Sequence, residues 1–166
     1  MTSISKKIYF ASDQHFGAPT PELSFPREQK FVAWLDEVKK DAEAIFLLGD
    51  LFDFWFEYKT VVPKGFVRVL GKLAEIRDSG IPIYFFVGNH DLWMNDYFEK
   101  ELNIPVFHEN QEYTFHGKTF LVGHGDGKGP GDLGYKRMKK VFTNPFSKWL
   151  FRWLHPDLGV GLAQYL

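Results

Sequence analysis

Four apolar runs in this chain end in the same kind of polar cluster. Lys7–Ser12 ends in Ser12-Asp13-Gln14-His15, and Ala44–Leu48 leads into Gly49-Asp50. Ile81–Val87 leads into Gly88-Asn89-His90-Asp91, and the run from Lys118 into Gly123-His124-Gly125-Asp126. If the runs are strands of one open α/β sheet, the clusters collect at its carboxyl edge, where ligands bind in such sheets. That single pattern constrains both the fold and the chemistry.

The runs have the length and bulk of buried strands, and the segments between them have helical spacing. Lys7–Ser12, Ala44–Leu48 and Ile81–Val87 are predicted strands; Arg27–Lys40, Phe66–Ser79 and a short stretch near Met94–Leu102 are predicted helices. Strand–helix alternation implies parallel strands joined by right-handed crossovers. The pattern then changes: Glu112–Phe115 and Lys118–Gly123 flank His116-Gly117, a two-residue hairpin turn. Only helical patterns follow Asp132, so residues 1–132 are expected to form the core and 133–166 a helical cap segment, with no independent second domain.

Composition narrows the chemistry. Among 166 residues, 45% are hydrophobic and 18% aromatic, enough for a real core. There is no cysteine, which excludes disulfides and thiolate zinc sites and fits a cytoplasmic setting. No leader or membrane-spanning segment is expected from the sequence.

The clusters themselves suit metal ions. Carboxylate, amide oxygen and imidazole together favour Mn²⁺, Fe or Zn²⁺ over Ca²⁺. In an extended Asp13-x-His15 segment both side chains would share one face and reach one ion. The two oxygens of Asp50 can bridge two ions about 3.5–4 Å apart. Asp13-x-His15 and Gly49-Asp50 alone are also common turns, and Gly88-Asn89-His90-Asp91 is the more specific signal; it is the ordered series of four that points to a dinuclear site. His108 and His116 fall in or beside turns and are read as surface residues, and Asp53 and Asp126 as groups that orient ligands.

This series resembles the motifs of the calcineurin-like metallophosphoesterases over most of the chain. The resemblance implies a layered β-sheet core flanked by helices and a site of two divalent ions, Mn²⁺ first among the candidates. It implies that Asp13 and His15 hold one ion, Asp50 bridges, and Asn89 and His124 hold the other. By the same resemblance His90 touches the phosphoryl group or leaving oxygen, oriented by Asp91.

Within that superfamily, Gly49-Asp50-Leu51-Phe52-Asp53-Phe54-Trp55, Gly123-His124-Gly125-Asp126 and Asp132-Leu133-Gly134-Tyr135 are most similar to the UDP-2,3-diacylglucosamine pyrophosphatases of lipid A synthesis. That similarity implies substrate contacts from Asn89, His90, Asp132 and Tyr135, and a nucleotide-linked glycolipid as partner rather than nucleic acid. Many members of that group carry Arg where this chain has His90. The alternatives are a phosphomonoesterase or phosphodiesterase acting on a soluble substrate, and a non-catalytic binding protein.

The superfamily closes its site with a Gly-His-x-His pair. After His124 this chain has only His155, so a continuation past Leu166 is expected to supply the pair, and the chain alone is expected to hold metal weakly. Residues 133–166 carry six Lys and Arg against one Asp, while the rest of the chain is net acidic. Their aromatic stripe of Phe142, Phe146, Trp149, Leu150, Trp153 and Leu154, broken at Pro145, suits acyl chains and peripheral contact with an anionic membrane surface.

Overall fold

The computed structural model describes residues 6–126 and 133–165. Strands β1 (Lys7–Ala11), β2 (Ala42–Leu48), β3 (Ile83–Phe86) and β4 (Val106–Phe107) form one parallel sheet in that spatial order. Helices α1 (Pro21–Val38), α2 (Val67–Asp78) and α3 (Tyr97–Leu102) make the crossovers. An antiparallel hairpin, β5 (Gln111–Phe115) and β6 (Lys118–Val122), forms a separate two-stranded sheet. Three helices close the described chain: α4 (Leu133–Thr143), α5 (Pro145–Arg152) and α6 (Pro156–Tyr165).

Period-two alternation in β2 divides the core into two layers. Ile45 and Leu47 face the helices and join Phe31, Leu35, Leu73, Ile76 and Phe98 in the larger cluster. Ala44 and Phe46 face the other way, against the hairpin. There the Phe46 ring meets Tyr113 edge-on at 4.9 Å and Phe115 at 5.5 Å. The predicted strands and hairpin are present, with ends shifted by a few residues.

Three differences stand out. Helix α1 starts six residues before the expected Arg27, because Thr20 caps it through Leu23 N and Pro21 supplies a preset first-turn φ. Strand β4 was not foreseen, being two residues long and held by Phe85 N and Val87 N donating to Pro105 O and Phe107 O. Pro145 does break the C-terminal aromatic segment: it opens α5, capped by the Asn144 side chain, so that α4 and α5 are separate helices. No described helix is long and apolar enough to cross a membrane.

Candidate metal centre

The loops after β1 and β2 are zipped together by main-chain hydrogen bonds. Asp13 N donates to Gly49 O at 3.1 Å, His15 N to Asp50 O at 2.9 Å, and Phe16 N to Leu51 O at 2.9 Å. Asp53 N returns to Phe16 O at 3.0 Å. Arg27 of α1 fastens the same loop, donating from Nη2 to His15 O and Ala18 O, both at 2.6 Å. Sequence reasoning gave Arg27 no role, and no local signal could, since its acceptors are carbonyls brought near only by the fold.

Within this frame the backbone of Asp13 (φ 58°), His15 (φ 44°) and Asp50 (φ 52°) is left-handed. This corrects the expectation that Asp13 and His15 share a face of an extended segment. They converge because both take the left-handed conformation beyond the end of β1, a strained geometry that surrounding contacts must hold and that clusters at functional sites. Two glycines allow the loops to close. A Cβ on Gly88 would lie 2.2 Å from Asp50 Oδ1, and one on Gly49 would lie 2.7 Å from Gly88 Cα and from His124 Nδ1.

The five expected ligands form one connected series of contacts that passes through Asp50 Oδ2. His15 Nε2 lies 3.9 Å from it and 4.0 Å from Asp13 Oδ1 on one side. On the other, His124 Nε2 lies 3.3 Å from Asp50 Oδ2 and 3.3 Å from Asn89 Oδ1. Asp13, His15 and Asp50 offer ligand atoms all within 4.8 Å of one another. Each half of the cluster thus supplies mixed oxygen and nitrogen donors at a spacing an ion can draw together, and the set fits divalent transition metals.

The surroundings fix the donors. His124 Nδ1 sits 2.7 Å from Leu48 O, so Nδ1–H donates to the carbonyl and Nε2 faces the cluster. The Asp50 hydrogen bond lifts the His124 pKa to about 9, against the opposing effect of burial, with Leu48 O and the Asp126 charge adding to the rise. Burial pushes the Asp50 carboxyl up, but the His124 hydrogen bond, the His90 amide at 2.9 Å and both imidazole charges hold it below its usual value.

His90 is oriented by Asp53, not by Asp91 as the resemblance implied. Its Nδ1 lies 2.9 Å from Asp53 O and 3.6 Å from Asp53 Oδ1, and Asp53 Oδ1 is also 3.5 Å from His15 Nδ1. The two imidazoles meet edge-on at 4.6 Å. Asp91 turns away into the protein: fully buried, it accepts from Gly88 N at 2.7 Å and Leu51 N at 3.1 Å. It thereby links the loops after β2 and β3, and burial raises its pKa to about 7 despite those donors.

Asp126 forms a 2.6 Å ion pair with Lys139 of α4. His116 sits at the exposed hairpin turn with φ 50°, away from the cluster. Asp132 lies outside the described residues, as does the side chain of Tyr135.

The cluster gathers at the ends of three strands of the parallel sheet and of β6 in the hairpin, which corrects the expectation of one sheet carrying all four. A calcineurin-like phosphoesterase family profile matches residues 6–159, and the chain belongs to that family. It is 43% identical over 158 residues to a UDP-2,3-diacylglucosamine hydrolase of Porphyromonas gingivalis, an alignment covering 95% of this chain and 60% of that protein. It is 32% identical to one of Edwardsiella ictaluri, covering 93% and 58%, and 30% identical to one of Actinobacillus succinogenes, covering 95% and 65%. The chain therefore spans about three fifths of the length of the curated relatives it matches. A crystal structure of an Aquifex aeolicus protein of unknown function shares the fold, with a TM-score of 0.52 at 21% identity over 81% of this chain and 71% of that one.

Proposed function

We propose that this chain carries the metal-binding part of an enzyme that hydrolyses the pyrophosphate bond of UDP-2,3-diacylglucosamine, giving UMP and 2,3-diacylglucosamine 1-phosphate. The observation that carries the reading is Asp50 Oδ2 standing between His15 Nε2 and His124 Nε2, at 3.9 and 3.3 Å. That proximity to both imidazoles supports reading Asp50 as the bridging carboxylate. The substrate follows from the relatives' shared designation.

Asp13, His15 and Asp50 would hold one ion, and Asp50, Asn89 and His124 the other, with Mn²⁺ the first candidate and Fe or Zn²⁺ the alternatives. Bound there, the ions would supply hydroxide near neutral pH and neutralise phosphoryl charge. His90 would act on the substrate directly. In its imidazolium form, with Nδ1–H given to Asp53 O, it would present Nε2–H to the phosphoryl or leaving oxygen as negative charge develops. Asp91 would keep the Asn89–His90 loop in register with Asp50.

The helical segment would receive the lipid end and rest on the cytoplasmic face of an anionic membrane. Phe146, Trp149 and Trp153 stack along the outer side of α5, 67%, 53% and 74% exposed, with Lys148 and Arg152 on the same helix. This combination suits a lipid interface.

The test is release of UMP from UDP-2,3-diacylglucosamine by the metal-loaded protein. Asp50→Ala is expected to lower the rate by about a thousandfold or more, since both ion positions depend on it, while His116→Ala stays within about twofold. A comparable loss in His116→Ala with the fold intact would overturn this placement of the site.

A further inference from the structure

A cavity of about 620 Å³ opens beside the metal cluster, between the start of α1, the 61–68 segment and α6. It lies within the range of small-molecule clefts, about 300–1,000 Å³. Asp53 forms part of its inner wall, and the same carboxylate is 3.5 Å from His15 Nδ1. A molecule in the cavity would therefore be continuous with a phosphoryl group at the metals. Phe16, Phe25, Phe54 and Phe66 line it, and the Arg68 guanidinium stands 4.6 Å over the Phe25 ring.

One wall residue decides what could fill it. Glu28 is only 6% exposed, and its Oε1 accepts from Val69 N at 3.2 Å. No hydrogen bond to its Oε2 is seen among the described residues, and Glu28 lines the cavity. A buried carboxylate oxygen in this state needs a donor. Covering it with an alkyl chain would strip its water and return nothing. Aromatic walls with polar groups from Glu28, Asp53 and Tyr58 among them suit a flat heterocycle and a sugar carrying hydroxyl or N–H donors.

We propose that this cavity binds the nucleoside end of the substrate, with Glu28 accepting a hydrogen bond from the ribose hydroxyls or the base. The inference rests on the nucleotide-linked substrate proposed above. It places the uridine toward α1 and α2, leaving the aromatic segment around α5 for the lipid end.

Binding of UMP, inorganic phosphate and laurate is measured by calorimetry, with the Val69 amide followed by NMR. UMP is expected to bind at least about tenfold tighter than phosphate and to shift Val69. Glu28→Gln, which keeps an oxygen for Val69 N, and Phe25→Leu, which removes the ring under Arg68, are each expected to weaken UMP about five- to tenfold. Phosphate binding should change less than about twofold in both. Should Glu28→Gln fail to fold, Phe25→Leu decides alone. UMP affinity equal to that of phosphate, or unchanged in the folded variants, would overturn the assignment. So would laurate that shifts Val69 and binds more tightly in Glu28→Gln. Hydrolysis of the diacylated nucleotide is scored separately: its absence beside UMP binding that weakens in the variants would sink the proposed reaction and leave the nucleoside cavity standing.

Discussion

At the scale of single residues, the site depends on groups that never touch an ion. Asp91 is the clearest: its two oxygens satisfy Gly88 N in its own loop and Leu51 N, forty positions away in sequence. Truncating it leaves two buried amide donors unpaired, at about 1–3 kcal/mol each. Asp91→Ala is therefore expected to destabilise the metal-free protein by about 2–5 kcal/mol in denaturant unfolding. Asp91→Asn should cost roughly half as much, since its carbonyl keeps one donor. An Asp91→Ala variant as stable as the parent, yet impaired in hydrolysis, would give the residue back the direct role on His90 that the geometry denies it. The clustered Asp, Asn and His residues were legible in sequence because each sits next to a strand end, a local signal. What Asp91, Asp53 and Arg27 bond to was not, because their partners are main-chain groups that only the folded loops bring near.

Helix α5 shows the same limit at the scale of an element. Helical spacing put Phe142, Phe146, Trp149, Leu150, Trp153 and Leu154 on one stripe, and the structure divides that stripe by function. Phe142 packs on Trp93 at 5.5 Å, its carbonyl accepting from Trp93 Nε1 at 2.6 Å. Phe151, outside the stripe, is the ring that docks, 4.6 Å from both Phe56 and Trp93. The wheel locates an apolar face but not the neighbour it turns toward, and here two aromatic faces compete. The consequence is a reversal of sensitivity along one helix. Phe151→Ala should lower stability by about 3 kcal/mol, near the low end for removing a packed aromatic ring because this one is only partly covered. Trp149→Glu and Trp153→Glu should leave the melting temperature within about 2 °C and reduce co-sedimentation with anionic vesicles. Unfolding caused by Trp153→Glu would show that the outer face is covered by protein rather than lipid.

For the whole molecule, the metal centre couples folding, charge and pH. The ligands proposed for it come from the ends of β1, β2, β3 and β6, so no unfolded chain presents them together, and ions that bind only the folded form would stabilise it. His124 sets the pH dependence. Without metal its imidazole is held charged by Asp50, with a pKa raised to about 9 from the ordinary 6.5. A raised pKa of this kind stabilises the metal-free fold fully below about pH 6.5, and that stabilisation fades as pH climbs through 9. An incoming cation needs the neutral Nε2 and must displace that proton, so affinity should fall by up to about tenfold for each pH unit below 9. The two effects act in the same direction on the difference between the metal-bound and metal-free protein. The rise in melting temperature on adding Mn²⁺ is expected to be larger at pH 9 than at pH 6.5, and chelator should reverse it at both. Calorimetry at pH 7.5, repeated in buffers of different ionisation enthalpy, should register about one proton released as the metal centre fills. Asp50→Asn should abolish both the thermal gain and the proton release. A metal-induced shift equal at the two pH values, with no proton released, would mean that His124 stays paired to Asp50 and is not a ligand.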